Sequence, residues 1–449
     1  MTGAGRLRGI RRSTIFATTL AIVLVAAGCG SSSKNSTTST TTGGSSTSAA
    51  TGTTAVPATS AGTGNTASAP GITPTTIKVA LVTSLSGPDS SNSVTIPKGF
   101  AARIDAQNAA GGVDGRKIIY VTEDDQSSPA QAPTAAQAAV NAGAFAIDYN
   151  SPFTFGAIRY MSQAKIPVVG GAYDGPEWSQ PQNYPNMFSW TPALSASYPV
   201  YTTDAQFIKD EGGTRVAAVG YGVSPSSSAT AKGIGPAAKA VGITAPYIAS
   251  SLPFGTVNVT TVALAMKAAK VDALYGPIDP NTLLALVAAA KQTGVSLKVI
   301  DMSTGYGEDF LTDPATLQTA EGAYMVTNSQ VPVELKTPAT LAEQAAFSKY
   351  EGFTGVPDFG WTEGYASADL LIKGLEVAGQ NPTRSSFISN LRQVTNYNAE
   401  GLATDTVNFS TVQDIPTQEC GYYVHLVGNQ FIVQNNGKPL CGTLLSGSS

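Results

Sequence analysis

From residue 76 onward the chain switches repeatedly between two hydrophobic periods, and few folds accommodate that. Ile77-Lys-Val-Ala-Leu-Val-Thr83 is a short apolar run rich in β-branched residues, ended by Ser-Leu-Ser-Gly-Pro. It reads as a buried strand followed by a loop. A helical pattern follows over 97–109, with Phe100, Ala101 and Ile104 on one face, stopped by Gly111-Gly112. The alternation continues with strands at 117–122, 144–147 and 166–169 and helices at 129–142 and 155–164. A second series begins after Trp190, with strands at 215–219, 246–250, 271–275 and 297–300 and helices at 197–211, 229–240, 259–269 and 281–293. Repeated strand–helix–strand units require parallel sheets covered by helices on both faces. Two series predict an α/β protein of two doubly wound lobes, with ligands beyond the carboxyl ends of the strands.

The first 75 residues follow other rules. Arg6, Arg8, Arg11 and Arg12 precede a mostly apolar stretch from Ile15 to Ala27 that ends in Val-Ala-Ala-Gly-Cys29. Residues 1–29 therefore read as a secretory signal, too short in its apolar part to span a bilayer. The small residues before Cys29 look like the lipobox of bacterial lipoproteins, whose cysteine is acylated and becomes the first mature residue. An ordinary signal peptide with an incidental cysteine is the alternative, and Arg11-Arg12 hints at twin-arginine export. Residues 30–75 are Ser, Thr, Gly and Ala with scattered Pro and a single charge, Lys34. Such composition buries too little to offset chain entropy, so it predicts a disordered tether spanning roughly 35–40 Å. These segments place the remainder at the outer face of the cytoplasmic membrane, held by lipid.

Composition narrows the chemistry. Of 449 residues only 12 % are charged and the net charge is −4, which argues against a nucleic-acid partner. One histidine and three cysteines leave no material for a His- or Cys-rich metal cluster, and no cofactor is expected. With Cys29 assigned to the anchor, Cys420 and Cys441 form an even pair in an exported chain and read as a disulfide, with two free thiols as the alternative. Between them, Tyr422 to Val433 holds two β-rich runs around Gly428-Asn429, a hairpin whose ends the bridge would staple.

The stretch IKVALVTSLSGPDSSNSVTIPKGFAARIDAQNAAGGVDGRKIIYVTEDD, from Ile77 to Asp125, resembles the opening of type I periplasmic solute-binding proteins. Within these it resembles the leucine/isoleucine/valine-binding family, the substrate-binding proteins of branched-chain amino acid ABC transporters. IPVVGG at 166–171, PFGTVNVTTVALAMKAAKVDALYG at 253–276 and WTEGYASADLLIKGLEVAG at 361–379 extend the likeness over nearly all of 76–449. The resemblance implies two lobes joined by three hinge crossings, lobe I at 76–191 plus part of 324–410 and lobe II at 192–323 plus C-terminal segments to 449. It further implies a small-molecule ligand in the cleft, an ABC permease as partner, an amino acid or related small molecule as solute, and no catalysis. A ligand sensor of the same fold, signalling to a membrane partner, fits the same residues.

Carried over position by position, Ser151 stands where the family holds a ligand carboxylate, beside Phe153 and Thr154; capping a helix is its other role. Ala172 matches a position whose backbone contacts that carboxylate. Asp174 stands where the family has a threonine, and it would repel a carboxylate and attract a cation or hydroxyls, or cap the next helix. The acidic slot after 271–275 falls on Asn281 or Thr282, with Asp279 one turn earlier. Tyr221 is a near neighbour of the family's tyrosine. Tyr173, Tyr275 and Tyr306 complete an aromatic wall that suits a flat, aromatic or polyhydroxylated ligand.

Three other motifs lead elsewhere. His425 is the one imidazole available to a Ser-His-Asp hydrolase, and Gly222-Val-Ser-Pro-Ser lacks the last glycine of a nucleophile elbow. Gly233-Ile-Gly235-Pro-Ala-Ala238 imitates a dinucleotide fingerprint but does not directly follow a strand, and reads as a helix start. Glu123-Asp124-Asp125 has the ligands of a hard cation, or simply ends a strand.

Overall fold

The computed structural model describes residues 63–171, 173–192, 198–327, 329–411 and 417–445. The signal segment with Cys29, the tether as far as residue 62, and Ala172 lie outside the described residues.

The first sheet contains β1 (Thr76–Thr83), β2 (Lys117–Asp124), β3 (Ile147–Asn150), β4 (Val168–Gly170) and β5 (Met187–Ser189), all parallel, in the order β2-β1-β3-β4-β5. Along β1, Val79 and Leu81 enter one apolar core while Ala80 and Val82 enter another on the opposite face. Burial on both faces is why this strand reads as a continuous apolar run rather than an alternation. Its helices are α1 (Ser90–Ser93), α2 (Ile96–Ala109), α3 (Ala132–Asn141) and α4 (Ile158–Ala164).

The second sheet contains β6 (Arg215–Tyr221), β7 (Thr244–Leu252), β8 (Ala273–Gly276), β9 (Val299–Met302) and β10 (Tyr324–Thr327), with helices α5 (Thr203–Asp210), α6 (Pro225–Val241), α7 (Val259–Ala268), α8 (Pro280–Thr293), α9 (Glu308–Thr312) and α10 (Pro314–Ala320). The chain then returns to the first core as α11 (Pro338–Ala346), α12 (Phe359–Ala378) and α13 (Arg384–Leu391). It re-enters the second sheet as β11 (Gln418–Val427) and β12 (Gln430–Val433), giving the order β12-β11-β10-β9-β8-β6-β7. β11 is antiparallel to β10, and β13 (Leu440–Thr443) pairs with its first half. The polypeptide thus passes between the lobes three times: after β5, after β10 and before β11. This is the two-lobe α/β architecture expected from the alternating periodicity.

α12 lies on α2 at backbone contact. A Cβ on Gly99 would stand 1.9 Å from the carbonyl oxygen of Trp361, and one on Gly364 2.1 Å from that of Ile96. Two facing glycines therefore let the returning helix close the first lobe.

Several local expectations shift. The strand expected over 144–147 is β3, three residues later. β5, β10 and β13, each of three or four residues, are not among the expected strands; unlike the equally short β3, β4, β8 and β9, none follows directly on a helix legible in the sequence. Gly233-Ile-Gly235-Pro236 lies in the middle of α6 rather than at its start, because Ser224 caps the helix and Pro225 occupies its first turn. The tether also ends earlier than residue 75. Ile72 is buried in the first core, and the Thr66 amide donates to Asn381 at 2.9 Å. The buried Arg116 guanidinium donates to the carbonyls of Thr66, Thr73 and Gln380 at 3.1, 2.8 and 2.5 Å. One isoleucine and these backbone bonds order residues 63–75 despite their polar composition.

At the other end, Cys420 and Cys441 are bonded. They sit opposite each other in the β11–β13 ladder, while the β11–β12 hairpin turns at Gly428-Asn429.

Candidate functional site

The carboxyl ends of both sheets face a shared cavity of about 670 Å³. That is within the range of clefts that enclose small organic ligands. Its first-lobe wall comes from the loop after β1, the loop after β3 and Tyr173 beyond β4. Its second-lobe wall comes from the loops after β6, β8 and β9 and from the edges of β10 and β11.

In the first lobe, the Ser151 hydroxyl accepts from the Phe153 amide at 3.1 Å and lies 3.2 Å from that of Ser84, which donates to Asp125 at 2.7 Å. Ser151 therefore both shapes its own turn and lines the cavity. Burial pushes the Asp125 carboxyl above its ordinary range, while bonds from Ser151 and Ser84 pull it back. Phe153 is buried and meets Phe254 of the second lobe edge to face, with ring centres 5.7 Å apart. Thr154 is fully buried and turned away, its hydroxyl donating to the Ser151 carbonyl at 2.7 Å. Tyr173 lines the cavity and reaches the buried Glu363, which also accepts from the Trp190 indole at 2.9 Å. Gly171 leaves the space for this arrangement, since a Cβ there would lie 2.2 Å from Glu363 Oε1 and 2.6 Å from the Tyr173 hydroxyl. Burial raises Glu363 to about 7.

Asp174 does not cap the next helix of its own lobe. Its carboxylate crosses to the second lobe, accepting from the Ser226 amide at 2.6 Å and the Ser224 hydroxyl at 2.7 Å. Ser224 in turn accepts from the Ser227 amide at 3.2 Å. Pro225 has no N–H, so the first free donors of α6 are shared between a carboxylate from one lobe and a hydroxyl from the other.

In the second lobe, Tyr221 donates to Asp279, whose other oxygen caps α8 through the Thr282 amide at 3.0 Å. Burial, then the Asp279 carboxylate, pushes the Tyr221 phenol far up. Tyr306 lines the cavity and donates to Glu334 at 2.7 Å. Tyr275 lines it too, hydrogen-bonded to Asp204 in the first turn of α5. Asn281 is exposed and is not among the lining residues; Asp279, the N-cap one turn earlier, is. Ser151, Phe153, Tyr173, Tyr221, Tyr275, Asp279 and Tyr306 are thus brought to one cavity, whereas Thr154 and Asn281 are not.

Further lining residues carry no local signature. Asp89 follows β1, buried and raised to about 6 by that burial. Position after a strand would have pointed to it. Asp204 and Glu419 arrive from a helix and a late strand, and nothing in their neighbourhoods marks them. His425 stacks on Tyr324 with ring centres 4.2 Å apart and does not line the cavity. Among the described residues no group of His, Cys, Asp and Glu is arranged to hold a metal ion, and no helix is long and apolar enough to cross a membrane. Asp124 is held below its ordinary range, and although burial opposes this, its bonds from Ser86, Gln126 and Leu85 make it a loop anchor.

Comparison with known proteins matches this geometry. A fatty acid ABC transporter substrate-binding protein from Thermomonospora curvata superposes with a TM-score of 0.65 at 21 % identity, over 85 % of this chain and 95 % of that one. A solute-binding protein of an R. palustris ABC transporter, solved with benzoate, gives 0.65 at 16 % identity, over 83 % and 98 %. The branched-chain amino acid transporter substrate-binding protein LivJ from Streptococcus pneumoniae, solved with isoleucine, gives 0.64 at 19 %, over 82 % and 99 %. Among curated proteins nothing matches the sequence. At these identities the structures establish the fold, and the family model for periplasmic binding proteins matches residues 76–430. The chain is therefore a member of the periplasmic binding protein family, with the type I fold of two parallel-sheet lobes.

Proposed function

We propose that this protein captures a small solute between its lobes outside the cytoplasm and delivers it to an ABC importer. The observation that carries this reading is a cavity built jointly: Ser151, Phe153 and Tyr173 from one lobe, Tyr221, Tyr275 and Tyr306 from the other. A ligand touching both walls stabilises only the arrangement in which they are together, and that closed state is what a permease can recognise. Lipidation at Cys29 anchors it to the membrane, and no chemical step is assigned to the cleft.

Neighbouring structures hold isoleucine, benzoate or 4-hydroxybenzoate, and one is described as binding fatty acid. Asp174, the residue in the family's threonine position, is spent on α6, and Asn281 faces solvent. The tyrosine-rich wall favours an aromatic or polyhydroxylated solute, or a modified amino acid, over a simple branched-chain one. A thermal-shift screen of the full chain against amino acids, amides, aromatic acids, amines, polyols and sugars tests the reading. A solute at about 100 times its dissociation constant adds about 2.7 kcal/mol, a readable rise in melting temperature. At least one class must produce it; a flat response to all contradicts solute capture.

A further inference from the structure

The cavity is acidic without a basic partner. Asp89, Asp204, Asp279, Asp405 and Glu419 line the cavity, and no Lys, Arg or His does so among the described residues. Of the long helices that start at the cavity, α6, α8 and α12 are already capped by Asp174, Asp279 and Asp358, whose carboxylates take amides a ligand anion would otherwise use. In the second lobe, Asp204 accepts from the Tyr423 hydroxyl at 2.7 Å and is also bonded to Tyr275. Behind it stands Asp301 on β9, in register with Tyr275 of β8 and Tyr324 of β10. Asp301 has no solvent exposure, and neither of its carboxylate oxygens has a hydrogen-bond partner. It lies on the face of β9 opposite Ile300 and Met302, beneath α5; burial and then the neighbouring Asp204 push its carboxyl up, and it acts in turn on Tyr275 and Tyr423. Glu419 joins them on β11, next to the bonded Cys420, with Thr203 Oγ 3.5 Å from its carboxylate.

An unpartnered buried carboxylate beside two others is costly in a protein interior, so burial favours the protonated acids when nothing pairs with them, and a cation arriving beside them offsets the cost of ionising them. Burial raises Asp204 and Asp301 above their ordinary range and Glu419 to about 8. The acids are not arranged as a metal cage. A primary ammonium presents three N–H donors and no acceptor, which suits a wall of carboxylate oxygens and phenols.

Resting on the solute-binding reading above, we propose that the Asp204–Glu419 end of the cavity receives a primary ammonium group of the solute, with Asp301 acting behind it as a positioning charge. This end lies on α5, β9 and β11, apart from the loop after β8 that carries Asp279.

Matched solutes that differ in one group test the assignment by calorimetry on the full chain: tyramine, tyrosol and 4-hydroxyphenylacetate, then hexylamine, hexanol and hexanoate. In at least one set the amine is expected to bind at least tenfold tighter than both its alcohol and its acid. Asp204→Asn and Asp301→Asn should each reduce the amine's affinity at least fivefold, and a melting transition as cooperative as the parent's shows that each variant is folded. Asp301 does not line the cavity, so its effect must run through charge. An alcohol or acid bound as tightly as the amine in both sets overturns the assignment, as does unchanged amine affinity in both variants. If neither amine binds while another solute of the broad screen does, the ammonium site falls and solute capture stands. If no solute binds at all, both fall.

Discussion

Asp174 shows how one residue changes the logic of the cleft. A threonine in this position would leave the start of α6 with a free amide, whereas Asp174 brings its own carboxylate there, 2.6 Å from the Ser226 nitrogen. The bond joins two lobes, so it exists only when they are together. Its loss should cost the closed state about 1.5 kcal/mol, the lower end for a hydrogen bond to a charged group, or roughly tenfold in apparent affinity. Asp174→Ala is therefore expected to weaken binding of whichever solute the screen identifies by about that factor, read by calorimetry; an unchanged constant would show that the bond does not favour closure. The sequence made part of this visible. It marked Asp174 as a departure, offered helix capping as a role, and left the helix it caps out of reach. Asp279-Pro280 followed by Thr282 is the local pattern of a capped helix, legible as such, whereas placing a ligand contact at Asn281 required knowing which side of α8 faces the cleft.

Strands and helices were most legible where burial is two-sided or a stop signal is strong. β1 and β6 are continuous apolar runs because each feeds two cores, and α2 ends at Gly111-Gly112 as its sequence requires. β5, β10 and β13 escaped because, unlike the equally short β3, β4, β8 and β9, none follows directly on a helix legible in the sequence, and α5 and β11 gave no sign that they share a site because more than 200 residues separate Asp204 from Glu419. The disulfide belongs to this scale. It ties β11 to β13 immediately beside Glu419, closing a loop with a sequence separation of 21. A loop of that length is worth about 3 kcal/mol through the unfolded chain. Cys441→Ser should lower unfolding stability by about that amount in denaturant titration. Equal midpoints for the variant and the oxidised parent would contradict a stabilising bridge.

At the scale of the molecule, buried acids outnumber buried bases among the described residues, and this gives folding a definite pH dependence. Burial raises Glu363 from its ordinary 4.5 to about 7, and Glu177, Glu343 and Glu419 to about 8. Between those values the folded chain holds protons that the unfolded chain releases. Stability from these groups is fully present below about pH 4.5 and is lost as pH climbs through 7 to 8. Asp272, held at about 2 by its bonds to Thr214, Arg215 and Lys298 although burial opposes them, works in the opposite sense, but only at much lower pH. The melting temperature of the solute-free protein should therefore fall from pH 5 to pH 8, and Glu343→Gln should flatten the slope. A rise over the same interval would mean that these carboxyls are ionised in the fold.

The central claim is that one solute is held by both lobes at once, and the most direct measurement removes one wall at a time. With a solute identified by the screen, Ser151→Ala takes a hydroxyl from the first-lobe wall and Tyr275→Ala takes a phenol from the second. Calorimetric titration of each variant is expected to show at least tenfold weaker binding than the parent chain. Unchanged affinity in both variants would contradict a shared site and place the solute outside this cleft.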